Sequence, residues 1–272
     1  MHPAFESVAH RPWPLPAREW TWRQSWLDLA FVHYRVSSRE IRELIPAQLH
    51  IQEFDGSAWL GLVPFRMTGV MRRPLPDIPL FSSFPELNLR TYVEFEGKPG
   101  VWFFSLDAAS WPIVFGGRRI YGLPYFSARM QIEQNAGWYD FSSERRSSPA
   151  KFKARYRPLG ESFFPRLGTF EHWAMERYCL YAARKDRRIL RVEVQHAPWP
   201  VRRAEIAIQE CSMFSAAGIE VLEDEPVAHF SRGVHVVSYA PEKANQPSEP
   251  TPTSVTICAE PQIAPAAVVA HL

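Results

Sequence analysis

The clearest pattern along the chain is a strict alternation over residues 86–96, ELNLRTYVEFE. Glu86, Asn88, Arg90 and Tyr92 share one face, while Leu87, Leu89, Thr91 and Val93 share the other. A period of two sends successive side chains to opposite faces of an extended chain, so this segment is predicted to be a strand. Strand-like runs recur at 27–36, 58–70, 100–109, 125–135, 137–144, 150–157, 176–184, 188–197, 201–209 and 226–239. Helical signals are few and short. Ser37 and Glu40 form a capping-box pattern before the apolar face Ile41, Leu44 and Ile45, which Pro46 stops. Ser110-Trp111-Pro112 reads as an N-cap with Pro in the first turn of a helix reaching about Gly116, and another helix is predicted over 210–217, ending at Gly218. The pattern describes one mainly β domain, an antiparallel barrel with a few short helices.

One interruption stands out. In RRIYGLPYF the extended pair Ile120-Tyr121 is broken by Gly122-Leu123-Pro124 and resumes at Tyr125-Phe126. A Gly and a Pro two residues apart fix a bend, and the residues after it are expected to point into a pocket. The ends differ from the body. Residues 1–20 carry four prolines with Trp13 and Trp20 and read as an arm packed on the body. A Pro-rich loop is expected over 71–85. Residues 241–272 are rich in Pro, Ser, Ala and Thr with little periodicity and are expected to be disordered. The domain proper then covers 21–240, with no internal repeat.

Composition narrows the function classes. The chain has 272 residues, 46% of them apolar and 14% aromatic, enough for a large core. A net charge of +2 predicts no nucleic-acid or membrane partner. Cys179, Cys211 and Cys258 are far apart and odd in number, which points away from disulfides and toward a reducing compartment. No leader pattern and no run of about 18 apolar residues is present, so the expected location is the cytoplasm. Assembly into a homo-oligomer is left open.

Familiar catalytic patterns are missing. Histidines are scattered: His172 and Glu176 are four apart and His229 and His235 six apart, but neither pair belongs to a known ligand set, so no metal and no cofactor are expected. Gly116-Gly117-Arg118-Arg119 lacks the form of a phosphate loop and is expected to end a helix and open the next strand. Cys179, within ERYCLY, reads as a buried structural thiol. Arginines outnumber lysines 26 to five. Lys151 and Lys153 share a face with Arg155 and Arg157, Lys98 lies in a Gly-Lys-Pro-Gly turn, Lys185 in a charged turn and Lys243 in the tail. None of these settings would desolvate an amine enough to make it a nucleophile. What remains is the polar face Glu86, Asn88 and Arg90, with Arg66 in the otherwise apolar run LGLVPFRMTGV. Such a face is either an ordinary solvated surface or the wall of a cavity. In a cavity, an apolar setting would raise the pKa of Glu86, whereas neighbouring arginines would hold it ionised.

The segments FPELNLRTYV, GVWFFSLDAAS, RRIYGLPYFSARM, ERYCLY and HAPWP, in this order, resemble the YqjF-like family of uncharacterised bacterial proteins over roughly residues 20–240. That family belongs to the acetoacetate decarboxylase-like superfamily, and the resemblance implies a cone-shaped antiparallel β-barrel with a central cavity. HYRVSSREIRELIP is similar to the decarboxylases' first strand and helix. GGRRIYGLPYF is similar to the segment that in those enzymes runs on to two lysines, the first forming a Schiff base and the second lowering its pKa. Here Tyr125 and Phe126 stand at those positions. A pocket glutamate of the decarboxylases falls on Glu86, and their other pocket glutamate falls near Arg66. Their first-strand arginine falls near Leu27, where this chain has none. Imine decarboxylation needs the amine as electron sink, so acetoacetate decarboxylase activity is not expected.

The resulting expectation is a small-molecule ligand in the cavity. Glu86 would serve as acid/base and Tyr125 as hydrogen-bond donor, with Arg66, Asn88, Arg90, Arg118, Tyr121 and Phe126 contacting the ligand. A small carboxylic or keto acid suits this set. The alternatives are a non-catalytic structural or protein-interaction module, for which the arm and tail would be docking segments, and a lysine enzyme using Lys151 or Lys153.

Overall fold

The structure is a computed structural model that describes residues 2–75, 82–184, 186–222 and 225–244. The expected disorder of 245–272, Cys258, Lys185 and part of the Pro-rich loop lie outside the described residues. The body comprises β1 (Trp22–Val36), α1 (Ser38–Arg42), β2 (His50–Ile51), β3 (Ala58–Arg72), β4 (Phe84–Phe95), β5 (Lys98–Ala108) and α2 (Trp111–Gly116). A π-helical turn, Gly117–Tyr121, leads to β6 (Tyr125–Asn135), β7 (Trp138–Arg145), β8 (Lys151–Phe163), α3 (Phe170–Met175) and β9 (Cys179–Ala183). The chain ends with β10 (Ile189–His196), β11 (Val201–Cys211), α4 (Met213–Ala216), β12 (Val227–Ser238) and β13 (Glu242–Lys243).

All thirteen strands among the described residues join one sheet, and it closes on itself because β4 pairs with both β3 and β5 while β10 pairs with both β9 and β12. β1, β3, β4, β5, β9, β10 and β12 thereby form a closed ring. Closure removes the exposed strand edges that an open sheet would offer. The tight hairpins that bring neighbours together are local: Glu96-Gly97 and Ala136-Gly137 each place two successive residues at positive φ, as a two-residue hairpin turn requires. The sheet is mostly antiparallel, as expected, but β5 pairs in parallel with both β6 and β9. The inner face of the ring carries a core of its own, including Phe31, Phe65, Phe103 and Trp199, separate from a second core that joins outer-face residues such as Leu60, Leu87 and Leu89 with Phe141, Phe152 and Tyr156 of β7 and β8 and with Ile41 and Met213 of α1 and α4.

Several local expectations change. Ser37 caps α1 by accepting from the Arg39 N–H, but the Glu40 carboxylate accepts from the Glu220 N–H instead of completing the capping box. The α-helix ends at Gly116 as expected, but Gly117 does not open a strand: both glycines are right-handed helical, and the chain continues through the π turn until Gly122, at φ +68°, reverses it. The Ile120-Tyr121 pair is therefore helical rather than extended. The last helix is shorter than predicted because β11 runs on to Cys211. Lys98 opens β5 and binds Glu193 at 2.9 Å. Residues 242–243 form a strand against β10 rather than part of a disordered tail. α3 has no counterpart among the predicted elements.

The N-terminal arm is tied down through Arg11. Its guanidinium donates to the Val194 carbonyl at 2.6 Å, to Gln195 Oε1 at 3.0 Å and to the buried Glu193 carboxylate at 3.0 Å. Both partners of this ion pair are almost fully buried, so the arm is part of the domain's packing.

Candidate functional site

The inner face of the ring encloses a cavity of about 110 Å³. Its polar wall is β4. Alternation along that strand puts Leu87 and Leu89 in the outer core and turns Glu86, Asn88 and Arg90 toward the cavity. The neighbouring strand β3 follows the same rule: Val63, Phe65 and Met67 line the cavity, and they pair with Asn88, Glu86 and Phe84. The face that could have been solvated surface is an interior wall. Glu86 is 2% exposed and Asn88 8%.

Electrostatically the cavity is lopsided. Among the described residues Glu86 is the one acidic residue lining it. Burial pushes its carboxyl up to about 8, against hydrogen bonds from Tyr125 and Asn88 that favour the carboxylate. Near neutral pH the group is therefore protonated. Two arginines line the same cavity, Arg90 and Arg177. Arg90 lies over the rings of Phe31 and Tyr92, 5.7 Å from each centroid. Arg177 donates to the Trp173 carbonyl at 2.5 Å and to Gln52, and burial lowers its pKa to about 10. Among the described residues neither arginine forms an ion pair. Asn88 Oδ1, Arg90 Nε and Trp26 Nε1 are buried without hydrogen-bond partners. Buried polar atoms in this state are costly, and a ligand with matching groups relieves the cost. His196 also lines the cavity, its Nδ1 2.8 Å from the Ala197 carbonyl, and burial lowers its pKa.

The bend after the π turn aims Tyr125 inward. Its hydroxyl donates to Glu86 Oε2 at 3.4 Å, and burial raises its pKa, the adjacent Glu86 adding to the rise. Phe126, the next residue, faces the other way. Arg145 lies over its ring at 4.0 Å and Arg118 at 5.5 Å. Arg118 donates from Nε to the Tyr125 carbonyl at 2.5 Å and holds the bend from outside. Arg66 also sits off the cavity, 3.4 Å from Asp28, because its neighbours Phe65 and Met67 take the inward positions. Neither Arg118, Phe126 nor Arg66 lines the cavity; period-two alternation excludes Phe126 and Arg66 directly. Tyr121 is in a second cavity of about 150 Å³, where its hydroxyl accepts from Trp22 Nε1 at 2.5 Å.

Gly117 makes room for the Tyr125 ring. A Cβ at this position would lie 2.3 Å from the ring, whereas a Cβ at Gly116 would meet nothing within 4 Å. Both glycines have ordinary helical angles, so an alanine tests space and not backbone strain. Gly117→Ala is expected to cost about 1–3 kcal/mol and to shift the Tyr125 hydroxyl from Glu86. Gly116→Ala should do neither. Thermal unfolding, with titration of the Tyr125 absorbance, distinguishes them, and equal behaviour of the two variants would refute the packing role.

Residue-level reading missed Arg177, His196, Trp26 and Trp199. Arg177 lies in ERYCLY, a segment that drew attention for its cysteine, and it belongs to an irregular stretch with no alternation to betray a face. Trp199 lies in HAPWP. The scattered histidines do not converge: buried His229 faces Glu171 at 3.2 Å, and exposed His235 meets Ser25 Oγ at 2.8 Å. Glu176 accepts from the Trp199 N–H at 2.9 Å and from Tyr178. Among the described residues no three His, Cys, Asp or Glu side chains cluster as a metal site, and no helix is long and apolar enough to cross a membrane.

Residues 23–235 match the DUF2071 family, described as an uncharacterized conserved protein. The chain is 38% identical over 219 residues to the uncharacterized protein YqjF of Bacillus subtilis (strain 168), covering 80% of this chain and 90% of that one. Among solved structures it is similar to the enduracididine biosynthesis enzyme MppR complexed with pyruvate, with a TM-score of 0.61 at 15% identity over 89% of this chain and 95% of that one. It is also similar to acetoacetate decarboxylase from Legionella pneumophila, with a TM-score of 0.59 at 12% identity over 90% and 96% of the two chains. At these identities the likeness shows the fold, an acetoacetate decarboxylase-like one.

Proposed function

This chain belongs to the DUF2071 family, and from that premise we propose that it binds a small carboxylic or keto acid in the cavity of its strand ring. The observation that carries the reading is the pair of arginines, Arg90 and Arg177, lining a cavity whose one carboxyl group is held protonated. Two positive charges in a partly apolar enclosure, with no carboxylate of the protein to match them, favour an anionic ligand. The ligand's carboxylate meets Arg90 and Arg177, and its carbonyl or hydroxyl lies toward Glu86 and Tyr125. That a fold relative carries pyruvate, a keto acid, supports the class of ligand.

As an enzyme, the protein would use Glu86 to give a proton to a carbonyl oxygen or an adjacent carbon and to take one back, with Tyr125 donating a hydrogen bond to the carbonyl. A carboxyl titrating near 8 is suited to both directions at neutral pH. This suits a lyase, isomerase or hydratase. Among the residues lining the two cavities there is no lysine, and Lys151 is paired at 3.6 Å with Glu144, outside the ring. Imine chemistry on either Lys151 or Lys153 is thereby disfavoured. The reading as an interaction module loses its docking arm, since Arg11 anchors that arm in the core.

The test is a thermal-shift screen of short and medium-chain keto, hydroxy and unsaturated carboxylic acids. A stabilising acid is expected to bind roughly 10- to 100-fold more weakly to Arg90→Met, the loss of a charge-assisted hydrogen bond. Glu86→Gln, a neutral isostere of the protonated acid, should retain binding and lose any proton transfer. A hit that binds Arg90→Met as tightly as wild type refutes the proposed orientation, and the absence of any hit refutes the ligand class.

A further inference from the structure

The two cavities are neighbours with opposite character. Residues including Gln24, Trp26, Met67, Leu123, Tyr125 and Val194 line both, so the second cavity, about 150 Å³, adjoins the first across a shared wall. Charge is confined to the inner one. Glu86, Arg90, Arg177 and His196 all line the inner chamber, whereas the residues lining the outer chamber include no Asp, Glu, Lys, Arg or His. Its walls are chiefly Trp22, Val70, Ile113, Ile120 and Val192, with α2 and the π turn as a roof.

Strand register orders the groups along one line. Met67 pairs with Phe84, Phe65 with Glu86, Val63 with Asn88 and Gly61 with Arg90. Met67 and Val70 belong to the outer chamber. A path inward from it meets Tyr125 and Glu86 first, Asn88 next and Arg90 last. Arg90 lies four residues beyond Glu86, about 13 Å along an extended strand. The outer chamber reaches the surface beside Ile120, which is 49% exposed although it lines the chamber. On α2, exposed Trp111 and Phe115 stack with centroids 5.5 Å apart. At about 110 Å³ the inner chamber is small beside the roughly 300–1,000 Å³ of ordinary ligand sites, and together with the 150 Å³ outer chamber it approaches that range.

We propose that the ligand is an amphipathic acid: its carboxylate lies at the deep Arg90–Arg177 end, the adjacent oxo or hydroxy group points back along the strand toward Asn88 and Glu86, and an apolar tail of several carbons runs past Tyr125 into the outer chamber. The inference rests on the acid-binding reading above and specifies its substrate class as medium-chain or aryl-substituted keto or hydroxy acids, in preference to the shortest ones. The tail enters past Ile120, and Tyr121 with Trp22 borders its path.

Calorimetry with a series of straight-chain 2-oxo acids tests it, alongside straight-chain primary alcohols of matching length. Affinity for the acids is expected to rise about fourfold per added methylene until the outer chamber is filled, the increment of a buried methylene. Gly116→Leu places a side chain in the outer chamber from a position where a Cβ meets open space. It should weaken the longest acids that bind wild type at least about tenfold, the equivalent of two lost methylenes, and move the optimum to shorter chains. Acids that bind with an affinity flat or falling with length overturn the tail assignment and leave the head site standing. Alcohols that bind as tightly as acids of equal length overturn the head site, since the arginines then contribute nothing. If no member of either series binds, both are overturned. The wild-type length dependence decides the matter even if Gly116→Leu fails to fold.

Discussion

Glu86→Gln is expected to become progressively more stable than wild type as pH rises from 5 to 9. The carboxyl ionises at 4.5 in the ordinary case and at about 8 in the folded protein, mainly because burial disfavours its charged form. Between those values the native state holds a proton that the unfolded state has released, so stability falls with rising pH. Glu86's contribution is fully present below about 4.5 and is lost as pH passes through about 8. The gap corresponds to about 5 kcal/mol between the extremes. Glutamine has nothing to ionise. Urea unfolding of both proteins across this range should show nearly parallel stability at pH 5 and a divergence of several kcal/mol by pH 9. A difference independent of pH would mean that Glu86 is already ionised in the native state. The same titration bears on function: an anionic ligand competes with the Glu86 charge, so acid binding should weaken above pH 8 in wild type and not in the variant.

The second large effect is expected at Arg145. Asp107 is fully buried on β5, the strand paired with the one that carries Tyr125, and Arg145 Nε donates to both of its carboxylate oxygens at 2.8 and 3.0 Å. Burial still raises the Asp107 carboxyl to about 6, with Arg145 opposing that rise. Arg145→Met removes the opposing charge and leaves Asp107 with Ser143 Oγ at 3.4 Å. The expected cost is about 3–5 kcal/mol at pH 8. A raised native pKa means that the protonated form is the favoured one, so the loss should shrink as pH falls through 6 and Asp107 takes up its proton. Adding Asp107→Asn to the same protein should recover much of the stability at pH 8. The pair also bears on the site: Asp107 is in register with Phe126 and Leu106 with Tyr125, and Arg145 covers the Phe126 ring. Chemical denaturation at pH 5 and pH 8 of the single and double variants checks the account. A pH-independent loss, or no rescue by Asp107→Asn, would contradict it.

The candidate site was partly legible. Alternation in 86–96 assigned Glu86, Asn88 and Arg90 to one face, and the Gly-Leu-Pro bend marked Tyr125 as a residue with a direction. Arg66 and Phe126 were misplaced although their own strands carried the correction. Each is flanked by residues at odd offsets that take the inward positions, Phe65 and Met67 for the first and Tyr125 for the second. Arg118 acts on the bend from outside, a role no motif signals. Arg177 and His196 come from strand ends and connections where no period exists, and only chain closure brings them opposite β4. The parallel pairings of β5 were equally invisible, since alternation specifies which residues share a face and not which strand lies beside which.

By itself the sequence determined the period-two strands, three of the short helices and the absence of lysine from the bend. These follow from local sterics and residue chemistry, which act within a few residues. Which face of β4 is interior, that Glu86 is protonated, that Arg90 and Arg177 share one cavity, and that an apolar chamber adjoins it were decided by the tertiary structure. Each depends on desolvation and on groups far apart in the chain, and both exist only once the sheet has closed into a ring.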